Sequence, residues 1–512
     1  MNLRAVARLL GVIFLLLAAF LLLPAGIAVY YGELGEVQHF LIAAVITAVV
    51  GALPAWLYRK GQVPLYAGAD YYRREGLAVV GLSWFLGGMV IALPYLFDGT
   101  FGPLRFTSVV DAYFEGVSGL TTTGSTVMSA ETIDSMSHAL AFWRSFSHWL
   151  GGFGIVMVFV VLFPTGGRSL FRSEIPGVSR EAGHQRVRDS ALSLMRVYVG
   201  ITVIELVLLM AVGLGGFDAL LHALGTIPTG GFSNYSASVG AFDSVPAEVI
   251  ITVFMFLSGI NFALYDVLLR MGFTAFWKRL WGSSEVRWYT GLALLAIATI
   301  TLLLWADGGT GGGPPPDARP GWKDYSNPGT ALRDASFLVV SMQTSTGFGT
   351  ANFDLWPQMG RAILIFLAIS GACAGSTGGG IKMVRIMVVT KAALVGVQRF
   401  IRPRAIHTVR IDGHSLDEGT VAAITSYFAL WVMVFLGATL FVASFGSDLE
   451  TASTAVVATL NNIGPGLRAV GPWENFGHLH ELVKLLMCGL MILGRLEFYA
   501  AVALVVPDLW KK

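Results

Sequence analysis

Charge and cysteine are both scarce in this 512-residue chain. Lys, Arg, Asp and Glu together supply 13% of it, about half of what soluble domains carry, while 55% is hydrophobic and the mean hydropathy is +0.68. No stretch reads as a separate soluble domain. The two cysteines, Cys373 and Cys488, both sit in apolar runs, so neither a disulfide framework nor a cysteine-based zinc site is expected. A net charge of +2 without a long basic or acidic tail argues against a nucleic-acid partner. The sequence offers no nucleophile with a base and an orienting group, so enzymatic activity is not indicated.

What the chain has in abundance is apolar segments near the roughly 20 residues that cross a hydrocarbon core. Ten spans are expected, near 9–30, 40–58, 77–97, 142–163, 191–214, 249–271, 289–305, 362–397, 420–445 and 482–506. The eighth is unusually long and broken by glycine. The first follows Arg4 and Arg8 but is too long for a signal peptide, and a second span follows closely, so it is read as retained. Positive charge resists translocation, and alternate loops hold it: Arg59, Lys60, Arg73 and Arg74, then Arg168, Arg172, Arg180, Arg186 and Arg188, then Arg270, Lys278, Arg279 and Arg287. These loops are assigned to the cytoplasm together with both termini. Segments 31–37 and 215–248 contain no Lys or Arg and are assigned outside, as is the Gly- and Pro-rich insertion at 306–329.

Between spans lie four short segments that each end in a Gly-containing tetrad. They are Thr122-Thr123-Gly124-Ser125, Pro228-Thr229-Gly230-Gly231, Ser345-Thr346-Gly347-Phe348 and Asn462-Ile463-Gly464-Pro465. Aligned on Gly124, Gly230, Gly347 and Gly464, they are 106, 117 and 117 residues apart (230−124, 347−230, 464−347), which makes four repeats. A carboxylate precedes each glycine by 13, 12, 13 and 14 residues (Asp111, Asp218, Asp334, Glu450), where it would begin a short helix whose N-terminus welcomes negative charge. Non-helical backbone at membrane depth is tolerable only inside protein or along a water-filled cavity. Any single tetrad could be an ordinary turn, but four at regular spacing point to a pore whose backbone carbonyls replace an ion's water. The third copy, Ser345-Thr346-Gly347-Phe348-Gly349, nearly matches the potassium-channel filter pattern Thr-Val-Gly-Tyr-Gly.

These segments resemble the Trk/Ktr/HKT superfamily of potassium transporters, and two extra spans before Leu77 make the bacterial TrkH branch the closer likeness. The most specific signatures are Leu460 to Gly466 and Gly371 to Lys382. The resemblance implies an all-α integral membrane fold, with ten spans and four re-entrant pore helices in pseudo-fourfold arrangement. Residues 1–70 would hold two extra spans, and 71–166, 167–272, 273–404 and 405–512 the four span, pore-loop, span repeats. It implies a potassium filter of Thr122, Thr123, Gly124, Thr229, Gly230, Gly231, Thr346, Gly347, Phe348, Ile463, Gly464 and Pro465. The ion would be held through Thr123, Thr229, Thr346 and Ile463 and the four aligned glycines. Gly124, where sodium-permeable members often carry Ser, implies potassium. Also implied are a homodimer in the bacterial inner membrane and a cytoplasmic ring of TrkA-like or KtrA-like subunits, through which alone a nucleotide would act.

Each repeat's second span carries a glycine 28 to 30 residues after the filter glycine: Gly152, Gly259, Gly375 and Gly494. Close helix packing explains the first two as well as function does. The run Gly375-Ser376-Thr377-Gly378-Gly379-Gly380 is too glycine-rich for a regular helix and is expected to form a mobile gate. Lys382 after it does not make a phosphate loop, because the adjacent Gly-Lys is missing. His478, His480 and Glu481 lack metal-ligand spacing and read as an exposed loop. Arg495, 13 residues into the last span and about 20 Å deep, is the charge expected to hold the gate shut, unless it snorkels or pairs elsewhere. The alternative function is a secondary transporter coupling potassium to sodium or protons.

Overall fold

The computed structural model describes residues 1–58, 73–162, 183–308, 321–404 and 407–498, with 501, 504 and 506–510 beyond them. The expected domain boundaries near 70, 166 and 405 lie at or beyond the edges of these stretches, and Arg59, Lys60, Arg168, Arg172, Arg180 and residues 309–320 of the 306–329 insertion lie outside the described residues.

Apolar composition dictates helix here, because a chain surrounded by lipid must satisfy its own backbone groups. The first helices, α1 (Leu3–Phe20) and α2 (Leu22–Tyr31), form one run that stops at Gly32, whose φ of 75° is a left-handed cap. α3 (Leu34–Leu57) returns beside α1. Gly11 and Gly51 let these two backbones touch, since a Cβ on Gly11 would lie 2.5 Å from the Gly51 carbonyl and one on Gly51 2.8 Å from that of Gly11.

Four units follow. The first contains α4 (Arg73–Asp98), α5 (Phe106–Leu120), α6 (Ala130–Asp134) and α7 (His138–Leu162). The second contains α8 (Gly183–Ala211), α9 (Gly216–Thr226), α10 (Val245–Ser258) and α11 (Phe262–Met271), with α12 (Phe273–Gly282) as a connector. The third contains α13 (Ser284–Gly308), α14 (Pro328–Gln343), α15 (Gln358–Ser370) and α16 (Met383–Ile401). A small antiparallel hairpin, β1 (Arg410–Ile411) and β2 (His414–Ser415), leads to α17 (Glu418–Ser444), α18 (Leu449–Leu460) and α19 (Glu481–Arg495). Every unit runs long helix, short helix, extended segment, then helix again.

Six helices among the described residues are long and apolar enough to cross a membrane, or seven if the bent pair α10 and α11 counts as one span. The expected eighth span is two helices, α15 and α16, separated by the non-helical stretch 371–382. A further break was not foreseen: α10 and α11 meet at 93° across Gly259-Ile260-Asn261, where the Asn261 side chain caps the Ala263 amide at 2.9 Å.

The acidic residues also depart from expectation. Asp218 and Glu450 do lie in the first turns of α9 and α18, but α5 and α14 begin more than a turn before Asp111 and Asp334. Their partners are side chains instead of helix termini. Lys484 reaches Asp111 at 2.5 Å, while Lys323 and the Thr350 hydroxyl reach Asp334 at 3.0 and 2.8 Å.

Candidate functional site

All four short helices end the same way. A left-handed residue closes each: Thr122 (φ 54°), Ser345 (58°) and Asn462 (54°) directly after the C-cap, and Thr229 (58°) one residue further on. The next amide bonds back five residues: Thr123 to the Ser118 carbonyl at 2.9 Å, Gly230 to Gly225 at 2.9 Å, Thr346 to Ser341 at 2.8 Å and Ile463 to Ala458 at 2.9 Å. This is the Schellman closure, normally built on glycine. A non-glycine residue there is strained by about 1–2 kcal/mol, and the chain accepts that strain four times.

The closure also fixes the repeat register. Two residues beyond each left-handed residue stands a glycine of positive φ: Gly124 (79°), Gly231 (80°), Gly347 (82°) and Gly464 (109°). In the second copy the equivalent glycine is therefore Gly231, not Gly230, and the spacings become 107, 116 and 117 (231−124, 347−231, 464−347). Asp218 then stands 13 residues ahead, as Asp111 and Asp334 do. Adjacent glycines in one copy made the sequence alignment ambiguous by one residue. The shift moves Phe232 into the place of Phe348 and makes Gly230 the counterpart of Thr123, Thr346 and Ile463.

Together the extended segments close a ring. A Cβ on Gly124 would strike the Gly230 carbonyl, one on Gly231 the Thr346 carbonyl and one on Gly347 the Ile463 carbonyl, while one on Gly464 would lie 3.0 Å from the Thr123 carbonyl. Each copy thus abuts the next and the fourth returns to the first. The Ser125 hydroxyl donates to the Gly464 carbonyl at 2.8 Å, and Asn462 Nδ2 to the Thr123 hydroxyl at 2.9 Å, sealing that last joint. Thr121 and Thr123 hydroxyls lie 2.7 Å apart, as do those of Thr344 and Thr346. Phe348 points away from the ring, with its ring 5.5 Å from that of His222. Pro465 follows the last glycine and packs beside Gly347.

Beneath the ring runs the stretch 371–382. Its Thr377 hydroxyl donates to the Ile227 carbonyl at 2.9 Å, its Gly379 amide donates to the Ser345 hydroxyl at 2.5 Å, and a Cβ on Gly378 would lie 2.8 Å from the Thr344 carbonyl. A Cβ on Gly379 would strike the Asn461 carbonyl. Gly375 (φ 73°) and Gly380 (φ 78°) supply its turns, and the Ser376 hydroxyl folds back on the Cys373 carbonyl at 2.6 Å. The stretch therefore touches the ends of three short helices at once. From α19, buried Arg495 donates to the Thr377 carbonyl at 2.7 Å.

The protein chain also matches known proteins along its whole length. Residues 36–511 match the family model for TrkH, described as a cation transport protein. The chain belongs to the TrkH cation transport family. It is 33% identical to the Trk system potassium uptake protein TrkH of Salmonella typhimurium and 34% identical to that of Halomonas elongata, in each case over 100% of both chains. The crystal structure of the potassium transporter TrkH from Vibrio parahaemolyticus matches with a TM-score of 0.86 and 31% identity, covering 100% of both chains. TrkH-family proteins are transporters, not enzymes, and this member is a multi-pass membrane protein.

Several residues of this TrkH-family site escaped the sequence. Buried Arg144 binds buried Glu115 at 2.8 Å and the Ser233 carbonyl at 2.7 Å, and lies 3.7 Å from the Phe232 ring centroid. Lys382, itself left-handed at φ 76°, bonds the Gly378 carbonyl, and Glu285 accepts from the Ala374 amide at 2.7 Å. Glu497 pairs with Arg385 of α16, not with Arg495. Only the Phe after Gly231, echoing the Phe after Gly347, was a visible signal. Of the second-span glycines, Gly152 packs against Pro228 and the Tyr198 hydroxyl, Gly494 against the Leu460 carbonyl, and Gly259 marks the α10 break.

Proposed function

We propose that this chain is the ion-conducting membrane subunit of a bacterial potassium uptake system. Potassium passes a filter lined by the backbone of Thr122 to Gly124, Thr229 to Gly231, Thr346 to Phe348 and Ile463 to Pro465, with α5, α9, α14 and α18 as its four pore helices among ten spans. The cyclic contact of the four glycine segments carries the reading, because converging carbonyls at membrane depth can replace the water shell of a cation and serve no other evident purpose. The stretch Gly375 to Gly380, tethered by Arg495, acts as the gate below. The curated relatives are named as potassium uptake proteins of the Trk system, which supports potassium as the cargo.

Control comes from a cytoplasmic TrkA-like or KtrA-like ring that carries the nucleotide, and the chain acts as a homodimer in the inner membrane with both termini inside. One observation favours the second reading, coupling to protons: Glu205 in α8 is fully buried with neither oxygen hydrogen-bonded. Carboxyls placed inside a membrane-spanning helix mark ion pathways and proton relays. Potassium uptake into liposomes, measured while membrane potential, sodium and pH gradients are imposed separately, tests both. Uptake that follows potential alone supports the channel; uptake that needs a pH or sodium gradient replaces it with the coupled transporter.

A further inference from the structure

Where α3 begins and α4 ends, two buried or half-buried carboxylates face one imidazole. Ligand atoms of Glu36, His39 and Asp98 all lie within 4.8 Å of one another. Glu36 and His39 are three apart on one helix and so share a face, and Asp98 is the last residue of α4. Glu36 is only 8% exposed, yet no hydrogen bond reaches its Oε2. His39 Nδ1 stands 3.6 Å from that oxygen, too far for a hydrogen bond, and has no other partner.

The contrast with Glu33, one turn earlier, is instructive. Both of its oxygens are occupied, one by the His138 amide and ring at 2.8 Å and the other by the Ala139 amide at 3.1 Å. That carboxylate is a cap at the start of α7, and nothing more is needed to explain it. Glu36 has no backbone amide on it: the Ser137 side chain and Asp98 are its neighbours, its Oε2 has no partner, and among the described residues no Lys or Arg forms an ion pair with Glu36 or Asp98. Burying a carboxylate beside a second one is costly unless a proton or a cation comes between them.

We propose that Glu36, His39 and Asp98 bind one divalent transition-metal ion of the zinc class, which fastens the N-terminal helices to the first repeat. Two carboxylate oxygens and an imidazole nitrogen suit zinc, leaving a fourth position for water, and the imidazole disfavours magnesium and calcium. The Thr100 hydroxyl donates to Asp98 Oδ2 at 2.6 Å and so orients that carboxylate from outside the ligand cluster. His39 is 29% exposed at its side chain, which gives a metal an entry path from solvent. The site is independent of the ring and its gate.

The test is thermal unfolding of the purified, metal-stripped chain in detergent, with zinc chloride or magnesium chloride added, together with calorimetric titration of zinc. Zinc is expected to raise the unfolding temperature and bind once at this site, and magnesium at the same concentration is expected to do neither. Glu36→Gln, His39→Ala and Asp98→Asn should each weaken zinc binding by about ten-fold or more, as ligand loss exceeds the effect of losing an outer-shell partner. His39→Ala is the safest variant for folding because the side chain is partly exposed. His480→Ala should leave the zinc response intact. The proposal is overturned if zinc leaves the wild-type transition unmoved, which is the result a proton shared by Glu36 and Asp98 gives. Zinc affinity unchanged from wild type in the three variants, or loss of the response in His480→Ala alone, overturns it equally.

Discussion

Arg495 and Thr377 are 118 residues apart in sequence and joined by one 2.7 Å hydrogen bond, guanidinium to carbonyl. The bond pins the glycine-rich stretch under the ring from the side of the last helix. A second nitrogen of the same guanidinium points to the Gly151 carbonyl at 3.5 Å, so the charge sits between two repeats.

Removing that tether should open the path. A hydrogen bond to a charged group is worth about 1.5–3 kcal/mol, so Arg495→Ala should raise resting potassium flux by roughly ten-fold or more. Deleting Gly375 to Gly380 should raise it as well, and the double variant should fall short of the product of the two. Flux through all four proteins in one liposome assay checks this, and unchanged or lower flux in both single variants refutes the gate.

Selectivity should depend on the glycines that meet a neighbouring carbonyl. Any side chain on Gly124 would enter the space of the Gly230 carbonyl, so Gly124→Ser should lower the potassium-to-sodium permeability ratio. An unaltered ratio would argue that these carbonyls do not coordinate the ion.

The shifted register gives a sharper comparison. A Cβ at Gly231 meets the Thr346 carbonyl, whereas one at Gly230 runs into the His148 ring. Gly231→Ala should therefore change ion selectivity, while Gly230→Ala should first reduce the yield of folded protein. Measuring permeability ratio and monodisperse yield for both variants separates the two, and the reverse pattern would restore Gly230 as the aligned residue.

The buried Glu115–Arg144 pair should be fragile to single changes. Breaking one partner leaves the other charge stranded, which typically costs about 3–5 kcal/mol. Glu115→Gln and Arg144→Met should each lower the unfolding temperature in detergent more than the double variant's deficit divided equally would suggest. Additive losses would show that the two residues act separately.

Acidification offers a further check at the head of α18. Asp448 accepts from the Thr451 hydroxyl at 2.5 Å and the Thr451 amide at 3.0 Å, and these bonds hold its carboxyl below its ordinary value of 3.8. A lowered carboxylate contributes stability above its unfolded value and loses it as pH falls through the folded one. Asp448→Ala should therefore melt lower than wild type at neutral pH, and the gap should narrow only below about pH 3.8. A gap that stays constant down to pH 3 would assign the effect to something other than this ionisation.

What the sequence determined by itself lay along the chain: apolar length, the recurrence of glycine tetrads, and the charge at Arg495 deep in a span. These properties are local or one-dimensional, so counting reveals them. Tertiary structure decided what depends on two segments meeting. Adjacent Gly230 and Gly231 are interchangeable to a spacing argument, and only the left-handed closure at Thr229 selects between them. Asp111 and Asp334 share their spacing with Asp218, but a lysine and not a helix terminus answers each of them: Lys484 from a distant helix for Asp111, and Lys323, eleven residues earlier, for Asp334. The break at Gly259 was equally hidden, because Cys373 and Gly375, more than a hundred residues on, take up the backbone groups it frees. A buried backbone group must find a partner, and sequence cannot say which distant chain will supply it.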